Sequence, residues 1–168
     1  DAHAVGAPEG TTIEVRDLDR HRTYRLGFDQ LVFGTGAHPI RPDLPGIDSP
    51  WVRGVQTVDD GAQLLEEART LRCRDVAVVG AGYIGLEMAE AFHRWGARVT
   101  LIEAHERPMA RTLDPDMGGR LVGHLADLGL DLRFGVQVEG FEEGRVLTTS
   151  GPVRADLVVL GLGVAPAS

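Results

Sequence analysis

Three patterns of apolar and polar positions follow one another along the chain, and each predicts a different element. Residues 11–15 and 23–26 are short β-favouring runs on either side of the polar turn 17–22, the pattern of a hairpin. A third run, Gln30-Leu31-Val32-Phe33, ends in Gly34-Thr35-Gly36, and Pro39, Pro42, Pro45 and Pro50 then punctuate a segment that reads as a connector. From Val58 to Leu71, apolar residues at Val58, Ala62, Leu65, Ala68 and Leu71 have the spacing of an amphipathic helix, with Asp59 and Asp60 near the end that favours acids. Asp75-Val76-Ala77-Val78-Val79 has no polar alternation and predicts a strand buried on both faces, as in a parallel sheet.

That strand runs into Gly80-Ala81-Gly82-Tyr83-Ile84-Gly85, a helical stretch to Trp95 closed by Gly96, and a strand over 98–103, which together make one β-α-β unit. A further helix is expected to start at Asp114 as N-cap with Pro115 in its first turn, to turn Leu121, Val122, Leu125 and Leu128 inward, and to stop at Gly129. A strand over 131–134, a hairpin from 136–141 and 145–149 around Glu142-Glu143-Gly144, and an apolar strand over 155–160 ending in Gly161-Leu162-Gly163 complete the reading. The expected class is α/β: a Rossmann-like parallel sheet with flanking helices and an antiparallel hairpin, preceded by a separate β segment. The expected division is 1–48 and 49–168.

Charge and composition narrow the partners. With 17 basic against 25 acidic residues the net charge is −8, which lacks the basic footprint of a nucleic-acid or membrane-surface binder. Every basic residue is Arg, so Schiff-base and P-loop lysine chemistry are excluded. Six histidines without paired spacing give no metal motif, and no GxSxG elbow is present. The single cysteine, Cys73, stands outside any CxxC spacing between Arg72 and Arg74, whose charges favour the thiolate. One cysteine and no secretory pattern at residues 1–12 make a cytoplasmic location the expectation.

The glycine motif carries the chemistry because of where it stands. It follows a buried strand, opens a helix, and is followed 23 residues after Gly80 by Glu103 at the end of the next strand. Gly80 permits the tight turn, Gly82 lets a pyrophosphate approach the backbone, and Gly85 lets the helix pack on the strand, while the helix start offers unpaired N–H donors. Glu103 is expected to accept from the ribose hydroxyls and repel a 2′-phosphate, favouring NAD(H) over NADP(H). Arg107 and Arg111, shortly after it, point the other way.

The stretch 76–87 with 99–103 resembles the NAD-binding domain of the pyridine nucleotide-disulfide oxidoreductases. Residues 28–37 resemble the strand and turn with which that family's FAD domain hands over to the NAD domain, with Gly34 where Ala is more usual. Leu113-Asp114-Pro115-Asp116-Met117 and 155–166 also look like family signatures; the former leans toward coenzyme A disulfide reductase and NADH oxidase-like enzymes, with ferredoxin and rubredoxin reductases next.

The resemblance implies hydride transfer from the nicotinamide to FAD, then electron transfer to a disulfide, oxygen or a redox protein. It implies that Tyr83 gates the nicotinamide, that Glu87 contacts the carboxamide region, that Gly161, Leu162 and Gly163 border the nicotinamide end, and that Thr35 and Gly36 touch FAD. Each has another reading, Tyr83 as a packing aromatic and Glu87 as a solvated helix charge. With no FAD-type GxGxxG ahead of the hairpin, the chain is expected to be part of a longer enzyme, a homodimer when whole, that binds NAD without turnover by itself. The alternative is a non-catalytic Rossmann module that binds or senses a dinucleotide.

Overall fold

Short strands cannot be stable alone, and the two most apolar, 75–79 and 157–160, find their ladder partners at the centre of a five-stranded parallel sheet, buried along their whole length. A computed structural model describes residues 2–4, as backbone, and 10–167. In chain order the elements are β1 (Ala2–Ala4), β2 (Thr12–Asp17), β3 (Arg22–Gly27), β4 (Ala37–Pro39), β5 (Val52–Gly54), α1 (Val58–Thr70), β6 (Asp75–Val79), α2 (Tyr83–Trp95), β7 (Arg98–Glu103), α3 (Pro115–Asp127), β8 (Asp131–Phe134), β9 (Val138–Glu142), β10 (Arg145–Thr148), β11 (Val153–Arg154), β12 (Leu157–Leu160) and β13 (Val164–Pro166). The chain divides into two compact units, one ending at Gly36 and one beginning at Ala37.

In the first unit β1, β2 and β3 form an antiparallel sheet, with Ile13 buried on β2. The run Gln30-Leu31-Val32-Phe33 is not a strand: it has no ladder partner among the described residues, and Val32 is 89% exposed. β-propensity without a neighbouring strand does not make a ladder.

The second unit is built on a parallel sheet of order β5-β12-β6-β7-β8. Alternation along β6 divides its side chains between two cores. Val76 and Val78 join Leu64 and Ala68 of α1, Ala89 and Phe92 of α2 and Leu125 of α3. Ala77 and Val79 join Phe141, Val146 and Val153 of an antiparallel sheet of order β11-β10-β9. Three layers result, with helices on one face of the parallel sheet and strands on the other.

Three further details depart from the sequence reading. The boundary falls at Gly36/Ala37 and not near Asp48, because β4 pairs with β13, Leu44 and Ile47 pack on the second core, and Phe141 N donates to Pro45 O at 2.8 Å. Helix α1 is rotated from the predicted face: of the residues expected inward Ala68 is buried, together with Leu64, whereas Val58 is 89% exposed and Ala62, Leu65 and Leu71 also face outward. Its start is set by a capping box in which Thr57 Oγ1 accepts from Asp60 N and Asp60 accepts from Thr57 N, while packing against the sheet decides which residues turn inward. The Cys73 thiol lies in the core, and burial, with help from the charges of Asp156 and Glu67, pushes its pKa up, so the flanking arginines do not make it a thiolate.

Elsewhere pattern and structure agree closely. Helix α2 ends with Gly96 in the left-handed region at φ 96°, and α3 starts at Asp114, whose side chain accepts from Met117 N at 2.9 Å.

Candidate functional site

The site forms where β6 stops. Gly80 N donates to Ile102 O at 2.7 Å and Gly161 N donates to Val79 O at 2.7 Å, so the chain leaves the sheet between β7 and β12. Gly80 has φ +101°, and a Cβ there would lie 2.5 Å from Gly161 O. A Cβ on Gly85 would lie 1.8 Å from Gly80 O, and one on Gly161 would lie 2.7 Å from Gly85 Cα. These three glycines bring α2, the turn and the end of β12 into backbone contact, which any side chain would prevent. Gly82 differs: an added Cβ there meets nothing within 4 Å.

Gly82 is also the N-cap of α2, with no side-chain cap and no acid in the first turn. Leu86 N makes the helix's first internal bond, to Gly82 O at 2.9 Å, so the N–H groups of Tyr83, Ile84 and Gly85 have no acceptor within the helix. Open space beside uncapped donors fits an anionic group, and the helix dipole favours one. That space belongs to a cleft of about 400 Å³ lined by Gly80, Ala81, Gly82, Tyr83 and Ile84 together with Glu103, Arg111, Gly161, Leu162 and Gly163. Tyr83 is 69% exposed on its rim.

Glu103 is fixed by main-chain donors. Its Oε2 accepts from Ala81 N at 2.7 Å and its Oε1 from His105 N at 2.9 Å. A carboxylate oxygen has two lone-pair directions, so each keeps one for a further donor, such as a ribose hydroxyl. The residues present therefore suit the adenosine diphosphate part of a dinucleotide.

The structure brings together ten of the residues singled out above and leaves others apart. Gly85 supports the turn from below. Glu87 is exposed on α2, one turn beyond Tyr83 and outside the lining. Thr35 and Gly36 belong to the first unit. Arg107 does not line the cleft: its Nη2 donates to Leu113 O at 3.2 Å and to Ala110 O at 3.4 Å. The sequence reading missed His105, Met109, Ala110 and Thr112, all in the lining. Their signal was positional, since the loop after β7 must leave from the carboxyl end of the sheet, where α/β folds bind ligands. Met109 has φ +53°, costing on the order of 1 kcal/mol, and is held there by its N–H donating to Ala81 O at 2.9 Å.

A family profile, pyridine nucleotide-disulphide oxidoreductase, matches residues 2–168. The NAD(P)H sulfur oxidoreductase (CoA-dependent) of Pyrococcus abyssi is 38% identical over 161 residues, 92% of this chain and 35% of that protein. Rhodocoxin reductase of Rhodococcus erythropolis is 37% identical over 177 residues, 99% of this chain and 41% of that protein. The water-forming NADH oxidase from Lactobacillus brevis, solved bound to NADH, superposes with a TM-score of 0.88 at 33% identity, covering 99% of this chain and 38% of that one. The chain thus spans well under half the length of each of these relatives.

Proposed function

Since this chain belongs to the pyridine nucleotide-disulphide oxidoreductase family, we propose that its cleft binds NAD(H), in preference to NADP(H), within an FAD-dependent oxidoreductase. The observation that carries the reading is the open space at Gly82 beside the uncapped start of α2, with Glu103 held by two N–H donors next to it. The pyrophosphate lies against the first turn of α2, and the adenosine ribose donates to Glu103. Tyr83 and the 161–163 turn flank the nicotinamide half, where Tyr83 shields the reacting face from water. Glu87, one turn on, orients the carboxamide region. FAD, when bound, supplies the electron transfer from the nicotinamide to a disulfide, oxygen or redox-protein acceptor. Thr35 and Gly36 are the residues of this chain assigned to its contact.

Glu103 sets the cofactor preference. A 2′-phosphate beside it meets like charge and displaces a ribose hydrogen bond, together about 1–3 kcal/mol. Arg111, also in the cleft lining, offsets part of that repulsion. Parallel calorimetric titrations of NADH and NADPH into the wild type and Glu103→Ala test this. NADH is expected to bind more tightly to the wild type, with the gap narrowing in the variant. Equal binding of both by the wild type, or an unchanged gap in the variant, would remove Glu103 from its assigned role.

A further inference from the structure

The loop between β7 and α3 supplies His105, Met109, Ala110, Arg111 and Thr112 to the cleft. Its first half is tied to the glycine turn by Met109 N, and Thr112 N and Leu113 N both donate to Met109 O at 2.9 Å. The carbonyls of its second half are gathered by Arg107, whose Nη2 reaches both Ala110 O and Leu113 O. Arg107 Nε is buried without a hydrogen-bond partner, and among the described residues no carboxylate forms an ion pair with this guanidinium. Helix α3 makes room for it: a Cβ at Gly118 would lie 2.8 Å from Arg107 Cδ and 3.1 Å from its Nε. A cation taken partly out of water, bonded to two carbonyls of one loop and outside the cleft lining, is an arrangement that burial alone disfavours.

We infer that Arg107 is a positioning residue for the dinucleotide: it fixes the backbone of 110–113, and with it Arg111 and Thr112, while making no contact with the bound molecule. The inference rests on the dinucleotide reading and deepens it. Arg suits the role and Lys does not, because the planar fork presents several N–H groups in fixed directions, whereas an ammonium is a compact point charge.

The test uses the purified chain, with NADH and ADP titrated into the wild type, Arg107→Lys, Arg107→Met and Gly118→Ala at low and high salt. Both Arg107 variants are expected to weaken NADH and ADP by about tenfold, the effect of one lost charge-assisted hydrogen bond. The ratio to wild type should be the same at both salt concentrations, because a positioning role puts no charge on the phosphate. Gly118→Ala should act in the same direction by displacing Arg107, and it keeps the test open if an Arg107 variant misfolds. Amide exchange without ligand should quicken at Met109, Thr112 and Leu113 while β6 and β7 stay protected, which a general loss of stability would not produce.

Wild-type affinity in Arg107→Lys, combined with a loss in Arg107→Met that shrinks at high salt, would mean that the charge acts directly on the phosphate and would overturn the proposal. Unchanged exchange in the 109–113 loop would overturn it as well. A wild type that bound neither NADH nor ADP would remove the dinucleotide reading and this role together. A wild type that bound both, with unaffected variants, would remove only the role of Arg107.

Discussion

At the amino end of the parallel sheet, Asp75 takes Arg98 Nε at 2.6 Å and Nη2 at 2.7 Å, and also Arg154 Nε at 2.9 Å. Beside it, Asp156 Oδ2 accepts from Arg74 N and Asp75 N. At the carboxyl end Glu103 likewise accepts two main-chain N–H groups, yet no cation pairs with it among the described residues and the neighbouring helix start is left uncapped. A carboxylate that gathers main-chain N–H groups thus stands beside an ion-paired carboxylate at one end, and at the other is left with spare acceptors beside spare donors. Satisfied groups hold the sheet, whereas unsatisfied ones at an open cleft can receive a ligand.

The largest effect that would sharpen this contrast is expected from Gly85→Ala. The new Cβ collides with Gly80 O, so α2 must lift off the sheet, costing about 3 kcal/mol or more in chemical denaturation. Gly82→Val is the counterpart at the same turn. It faces open space with φ −82°, so it should keep the fold to within about 1 kcal/mol. It should nevertheless lower NADH affinity by about a hundredfold or more, because the side chain occupies the anion position. If both glycine variants damaged stability equally, the division between supporting and binding glycines would break.

At the other end, Asp75→Asn is expected to lose about 1–2 kcal/mol, modest because both arginine partners are largely solvated, and to leave NADH affinity unchanged. A change in affinity there would mean that the two ends are coupled.

The smallest effect is one of pH. The hydrogen bond from Arg98 and the charges of Arg98, Arg154 and Arg74 hold the Asp75 carboxyl below its ordinary value against the opposing effect of burial. Because its folded pKa is the lower one, Asp75 contributes stability above about pH 4 that is lost as pH falls through the folded pKa. Denaturation midpoints measured from neutral pH down into that range should therefore fall more steeply for wild type than for Asp75→Asn.

Legibility in the sequence followed the range of the interactions. The turn 80–85, the ends of α2, strand β7 and the Asp114 cap were readable because glycine conformation, capping and apolar runs act over a few residues. The face of α1 was not, since an apolar stripe of Val58, Ala62 and Leu65 competes with one set by Leu64 and Ala68, and only the packed sheet decides between them. The contact of Gly161 with Gly80 and Gly85 was also hidden, because it joins residues about eighty positions apart through the pairing of β12 with β6. Arg107 was read as a contact of the dinucleotide, whereas its side chain turns to Ala110 O and Leu113 O over the space left by Gly118 in the following helix.

Strands β4 and β13 run antiparallel with Ala37 opposite Pro166. Paired Cα atoms in such a ladder are about 5 Å apart. This pairing closes residues 37–166 into one loop held at its base, so the glycine turn and every residue lining the cleft lie within a single closed circuit of the chain.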